Sequence, residues 1–124
     1  MSIEKPEVDF PAGDPPADLE ITDLAVGDGA EAKPGQNVVV HYVGVAFSTG
    51  EEFDASWNRG EPFAFPLGAG HVIAGWDQGV VGMRVGGRRR LVIPPDLGYG
   101  DRGAGSAIAP GETLIFVVDL IDVR

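Results

Sequence analysis

The chain of 124 residues has no cysteine. No disulfide can staple it, no thiolate can hold a metal, and no cysteine nucleophile is available. That absence suits a reducing compartment, and a cytoplasmic location is expected. Basic residues are scarce: 9 Lys and Arg stand against 19 Asp and Glu, a formal net charge of −10. Gripping phosphates takes a positive face, so neither nucleic acid nor an anionic membrane is an expected partner. No apolar run approaches the roughly 18 residues of a membrane span. The opening MSIEKPEVDF lacks the apolar stretch of a secretory leader. The two histidines, His41 and His71, lie far apart without a ligand-spaced companion. Neither a GxxxxGK[ST] loop nor a GxGxxG turn occurs. No Ser/His/Asp set presents itself. Neither a metal nor a cofactor is expected.

What is present reads as one globular domain behind an arm. Hydrophobic residues make up 44% of the chain, and this length suits one domain with one core. Residues 1–18 hold Pro6, Pro11, Pro15 and Pro16 among acids and small residues, the composition of an extended or disordered arm. Residues 19–124 form the domain. LEITDLAV alternates and reads as a strand ending at Gly27. NVVVHYVGVAF, from Asn37 to Phe47, is dense in β-branched and aromatic residues and reads as a long strand. STGEE is a turn. A short strand follows around Phe53, then a loop from Trp57 to Gly60, then a strand in PFAFPL. RRRLVIP and TLIFVVDLIDV read as two more strands, separated by a long glycine-rich loop. The expected fold class is α+β: a five- to six-stranded antiparallel sheet wrapped around one short helix.

That helix is VIAGWDQGVVG, where Val72, Ile73, Trp76 and Val80 recur at spacings of three and four. Three glycines interrupt it, each costing about 1 kcal/mol relative to alanine in a helix interior. One of only two tryptophans sits on this poorly supported helix, so Trp76 is either a core plug or a residue the helix exists to present. Elsewhere the aromatics have few polar companions: Tyr42, Phe53, Phe63, Phe65, Tyr99 and Phe116. Singly each suits a core. Two features point beyond it. Tyr99 lies between glycines in a loop, and Asp54 places a carboxylate at the end of an apolar strand. An apolar pocket with a few placed polar groups is the usual form of a small-ligand site. The run Arg88-Arg89-Arg90 reads as a solvated strand with side chains on alternating faces.

Several segments together resemble the FKBP-type peptidyl-prolyl cis-trans isomerases, in particular small single-domain bacterial members. They are VVVHYVGVAFSTGEEFDAS, PFAFPLG, VIAGWDQGVVGMRVGGRRRLVIPPDLGYG and ETLIFVVDL, in order from about residue 20 to 123. The resemblance implies an enzyme that speeds rotation about X–Pro bonds during protein folding. Its partners would be proline-containing polypeptides and macrolides such as rapamycin and tacrolimus (FK506), and it would act as a monomer. It also implies site roles. Trp76 would floor the pocket, and Tyr42, Phe53, Val72, Ile73 and Phe116 would wall it, with Phe63 beside them. Asp54 would face the imide. The Tyr99 hydroxyl and the Ile73 N–H would donate to substrate carbonyls. Ile108 would overhang the pocket, and Arg59 would lie near Asp54 and Tyr42. The loop SAIAPGET departs from the family pattern. The small residues of this rim, Ala104, Ala107, Ala109 and Gly111, imply an open site. A binding module that grips proline segments with little turnover is the rival reading, and a purely structural interaction domain is a third.

Overall fold

The computed structural model describes residues 4–8, 13–104 and 108–124. Six strands form one sheet: β1 (Glu20–Ala25), β2 (Asn37–Ala46), β3 (Glu52–Ala55), β4 (Phe63–Pro66), β5 (Arg88–Ile93) and β6 (Leu114–Val123). The spatial order is β1-β5-β6-β2-β3, with β4 also paired to β2, and all pairings are antiparallel. The ten-residue β2 has room for two partners on one edge. Asn37–Val40 meets β4, and Val43–Val45 meets β3. A single turn of helix, α1 (Ser56–Arg59), and a six-residue helix, α2 (Ala74–Gly79), complete the regular structure with two short 3-10 turns at Pro95–Leu97 and Gly100–Arg102.

The α+β architecture is the one the strand pattern implied. Two local expectations change: the helix read over Val72 to Gly82 spans only Ala74–Gly79, and Trp57 to Gly60 is not an open loop, because α1 occupies Ser56–Arg59 and ends on Gly60 at φ 70°. One helical turn is too short to show a period in sequence. Helix α2 lies across one face of the sheet, and its glycines set how closely. A Cβ on Gly75 would lie 2.6 Å from Ile93, and one on Gly79 2.7 Å from Leu91. The helix therefore sits at a distance that alanine would forbid.

The arginine run is not solvated as expected. Arg89 is buried. Its Nε donates to Asp23 Oδ1 at 2.7 Å, and Nη1 donates to the carbonyls of Gly79 and Val81, each at 2.9 Å. The side chain thus ties the C-terminal end of α2 to β1 and satisfies carbonyls that a helix end leaves free. Arg88, on the opposite face, donates to Asp119 Oδ1 at 2.7 Å and to the Glu4 carbonyl at 2.9 Å.

Strand alternation divides the apolar residues into two clusters. The larger lies between α2 and the sheet and includes Val38, Val40, Tyr42, Trp76, Leu91 and Phe116. The smaller lies on the back of the sheet: Val43, Val45, Ala55, Val92 and Ile115, with Val8, Phe47 and Trp57 packed against it. Among the described arm residues, Lys5 also reaches the domain. Its ammonium lies 2.8 Å from Glu52 and donates to Asn58 at 3.0 Å.

Candidate active site

At one end of the larger cluster the aromatic residues do not close over. They leave a cavity of about 400 Å³ lined by Tyr42, Phe53, Asp54, Phe63, His71, Val72, Ile73, Trp76, Tyr99, Ala104, Ile108 and Phe116. Trp76, only 4% exposed, lies at the centre of the ring contacts. Its centroid is 4.9 Å from Tyr42, 5.2 Å from Phe116, 5.5 Å from Phe65 and 6.1 Å from Phe63, mostly edge to face. Such contacts fix ring orientations beyond what burial alone would do. The rim is open: Phe63 is 37% and Tyr99 41% exposed.

Local irregularity brings Phe53 and Asp54 to the same cavity, although successive strand residues normally face opposite ways. Gly44 pairs with Asp54 and Val45 with Glu52, so Phe53 is the unpaired residue of a bulge. Its ring meets Phe116 at 5.5 Å and 89°. Gly44 makes room for that contact, since a Cβ there would fall 2.6 Å from both rings.

The polar groups are tied to one another. Tyr42 donates its hydroxyl hydrogen to Asp54 Oδ2 at 2.5 Å. Arg59 donates through Nη1 to Asp54 Oδ1 at 2.8 Å and through Nη2 to the Tyr42 oxygen at 2.8 Å. Its guanidinium carbon lies 5.7 Å from the centre of the Tyr42 ring, within cation–π range. A family model for FKBP-type peptidyl-prolyl cis-trans isomerases matches residues 29–121. The chain belongs to that family. It is 74% identical over 124 residues to the FK506-binding protein of Streptomyces anulatus, spanning 99% of this chain and 100% of that one. Among solved structures it is similar to AtFKBP13, at 44% identity and a TM-score of 0.79, covering 86% of this chain and 93% of the other. FkpA from Escherichia coli is also similar, at 42% identity and a TM-score of 0.77, covering 86% of this chain and 48% of that chain. The chain is thus a peptidyl-prolyl cis-trans isomerase, and the cavity is the site in which to look for that chemistry.

The fold brings together Tyr42, Phe53, Asp54, Phe63, Val72, Ile73, Trp76, Tyr99, Ile108 and Phe116 at the cavity. Arg59 lies behind the lining and reaches it through Asp54 and Tyr42. Ala104 lines the rim and Ala107 lies outside the described residues. Two further contributors escaped the sequence reading. His71 lines the cavity from the loop before α2. Ser56, fully buried, accepts the Tyr42 N–H at 2.7 Å and lies 2.8 Å from His41 Nδ1. It thereby fixes the strand segment that carries the Tyr42 phenol. Its place directly after Phe-Asp-Ala was the only signal in the sequence. His41 stacks on Trp57 at 4.1 Å on the other face. Among the described residues no group of three His, Cys, Asp or Glu could hold a metal ion.

The electrostatics keep Asp54 charged and both tyrosines neutral. Burial pushes the Asp54 carboxyl up, but the hydrogen bonds from Tyr42 and Arg59 together hold it below its ordinary value. Burial, reinforced by the bond to Asp54, raises the Tyr42 phenol. Burial, then the Asp54 charge, raises Tyr99. The carboxylate is committed to internal partners, and the cavity offers an apolar surface with few free donors.

Proposed function

We propose that the cavity binds the proline ring of an X–Pro segment and accelerates its rotation without covalent chemistry. The observation that carries this reading is the pairing of an aromatic cavity with a carboxylate already engaged by Tyr42 and Arg59. A general base needs affinity for the proton it takes. Here both Asp54 oxygens accept hydrogen bonds from the protein, and these bonds hold the carboxyl below its ordinary value, which makes it a weak base.

The barrier to X–Pro rotation, about 18–20 kcal/mol, comes from amide resonance. Resonance places charge on the carbonyl oxygen, and twisting the C–N bond removes that charge separation. An apolar, water-poor wall stabilises the twisted bond relative to the planar one, which is differential binding of the transition state. Trp76 floors the ring, and Tyr42, Phe53, Val72, Ile73 and Phe116 wall it. Phe63 and Ile108 take the residues on either side. Among the described residues, the Ile73 N–H makes no backbone hydrogen bond and is suited to hold a flanking carbonyl. The rim hydroxyl of Tyr99 is suited to hold another. Asp54 acts through its field on the rotating carbonyl, and Arg59 holds Asp54 in place.

The substrates are proline-containing polypeptides in folding, and the same pocket takes FK506 and rapamycin through their proline-like rings. The isomerase unit is residues 19–124, acting as a monomer in the cytoplasm, with residues 1–18 as an extended arm. A protease-coupled isomerisation assay on an apolar X-Pro tetrapeptide tests the reading. Acceleration abolished by FK506 is the expected result. FK506 binding without acceleration would leave a proline-gripping module instead.

A further inference from the structure

The rim segment Gly68–Val72 delivers His71 and Val72 to the cavity, yet few hydrogen bonds hold it. Upstream it is anchored at the buried Leu67, whose N–H donates to the Gln36 carbonyl at 2.9 Å and whose carbonyl accepts from Gly35 at 3.0 Å. Downstream, the Ile73 carbonyl accepts from Trp76 and Asp77 as α2 begins. Between these points, among the described residues, the hydrogen bonds to the segment come from a single side chain. Asp77 Oδ1 accepts the Gly68 N–H at 2.8 Å, and Oδ2 accepts the Gly70 N–H at 3.0 Å. Both glycines sit at positive φ, 81° and 74°, where other residues are strained. The backbone is thereby turned so that two of its N–H groups converge on one carboxylate.

Asp77 immediately follows Trp76 on α2. The helix is itself fixed at close range against Ile93 and Leu91 and by Arg89 at its end. A carboxylate on this rigid element thus refers the rim to the floor. Bonds of an ionised acceptor to N–H donors are stronger than neutral ones, which suits a span whose other hold is the packing of Val72 against the core.

We propose that Asp77 is a positioning residue for the isomerase site: its bidentate grip on Gly68 and Gly70 holds His71, Val72 and Ile73 in the place from which they contact substrate. This rests on the isomerase reading of the cavity. Asp77 touches no substrate; it acts through the loop. Replacing it changes how well the rim meets the ligand and leaves the floor and the Asp54 pair untouched. The loss belongs in substrate binding.

Asp77→Asn, Asp77→Ala and Asp77→Glu test this in the full chain. Losing charge-assisted bonds should raise KM for a Leu-Pro tetrapeptide about tenfold in Asp77→Asn and Asp77→Ala, with kcat nearly unchanged. The Kd for FK506 should rise in parallel. Amide hydrogen exchange at Val72 and Ile73 should quicken while that of Leu91 and Val92 in β5 holds. Asp77→Glu, which keeps both acceptors, should recover part of the KM. Unchanged KM and Kd in Asp77→Ala would overturn the proposal. So would a loss in kcat alone, or exchange quickening equally in β5, which marks general destabilisation. An inactive wild type would instead remove the isomerase reading. The Kd for FK506 and the exchange at Val72 and Ile73 would then still decide whether Asp77 holds the rim.

Discussion

The two faces of this sheet are made by the same strands and serve opposite ends. On β2, Val43 and Val45 point to the back and join a wholly aliphatic buried group with Ala55, Val92 and Ile115. Tyr42 and Gly44 point to the front, where aromatic rings surround a cavity that stays open at Phe63 and Tyr99. Aliphatic side chains gain most when water is fully removed from them. Rings can pack edge to edge over a floor and still leave a face uncovered for a ligand. Stability and binding are therefore expected to separate by face, and substitutions can be chosen to break that separation.

The largest effect should come from the back. Ile115→Ala should lose about 2–5 kcal/mol of folding stability, read by denaturant unfolding, while kcat/KM per folded molecule stays near that of the wild type. Trp76→Leu should lose most of the activity and FK506 binding, and also about 1–3 kcal/mol of stability, because the ring is buried in the larger cluster. If Ile115→Ala lowered kcat/KM as far as Trp76→Leu, the faces would not be independent.

Substrate choice sharpens the front face next. Before proline, Leu or Phe should lie on the apolar rim at Phe63 and Ile108, while Glu would forgo that burial and face Asp54 in an acidic protein. Peptides with Leu or Phe there should exceed Glu by about one to two orders of magnitude in kcat/KM, with Ala between. Salt should narrow the gap without closing it. Equal efficiencies for Leu-Pro and Glu-Pro would mean that the rim leaves the site wet.

Much of this was legible in the sequence, for reasons that differ by element. The strands β2, β5 and β6 announce themselves because long alternating or β-branched runs admit few other structures. The cavity residues could be named because the family resemblance fixes positions that periodicity alone cannot. Residues that act through hydrogen bonds to groups outside their own local pattern were hidden. Nothing local distinguishes Arg89 from Arg88, yet one lies under α2 and the other faces the arm. Ser56 and Asp77 owe their roles to partners 14 and 7 to 9 residues away. The turn α1 is too short to carry a pattern. The proline-rich arm showed too little apolar surface for a core of its own, but Val8 needs only the surface the sheet already offers.

A smaller effect probes the charge at the front. Asp54→Ala should lower kcat/KM about tenfold, the scale of one electrostatic contact rather than of a nucleophile or base. Tyr99→Phe should cost less, because the ring remains. Near-total loss in Asp54→Asn with intact FK506 binding would instead indicate proton transfer. On the back, removing residues 1–18 should lower Tm by a few degrees through Val8, Lys5 and Glu4, and leave kcat/KM as it was. A parallel loss of activity would show that the arm communicates with the cavity.

The smallest expected effect is that of pH. The Asp54 carboxyl is held below its ordinary value of 3.8 by Tyr42 and Arg59 against the opposing pull of burial. A group with a depressed folded value stabilises the protein above its unfolded value, and that stability fades as pH falls through the folded one. Tyr42 is raised above its ordinary 10.0, first by burial and then by its bond to Asp54. Its contribution is complete below the unfolded value and fades only as pH rises through the folded one. Between these limits the Tyr42–Asp54–Arg59 group keeps one protonation state. Catalysis that moves no proton should then give a kcat/KM profile that is flat from about pH 5 to 8. A bell-shaped profile would contradict the non-covalent mechanism at its centre, because it would require an acid and a base that exchange protons with the substrate.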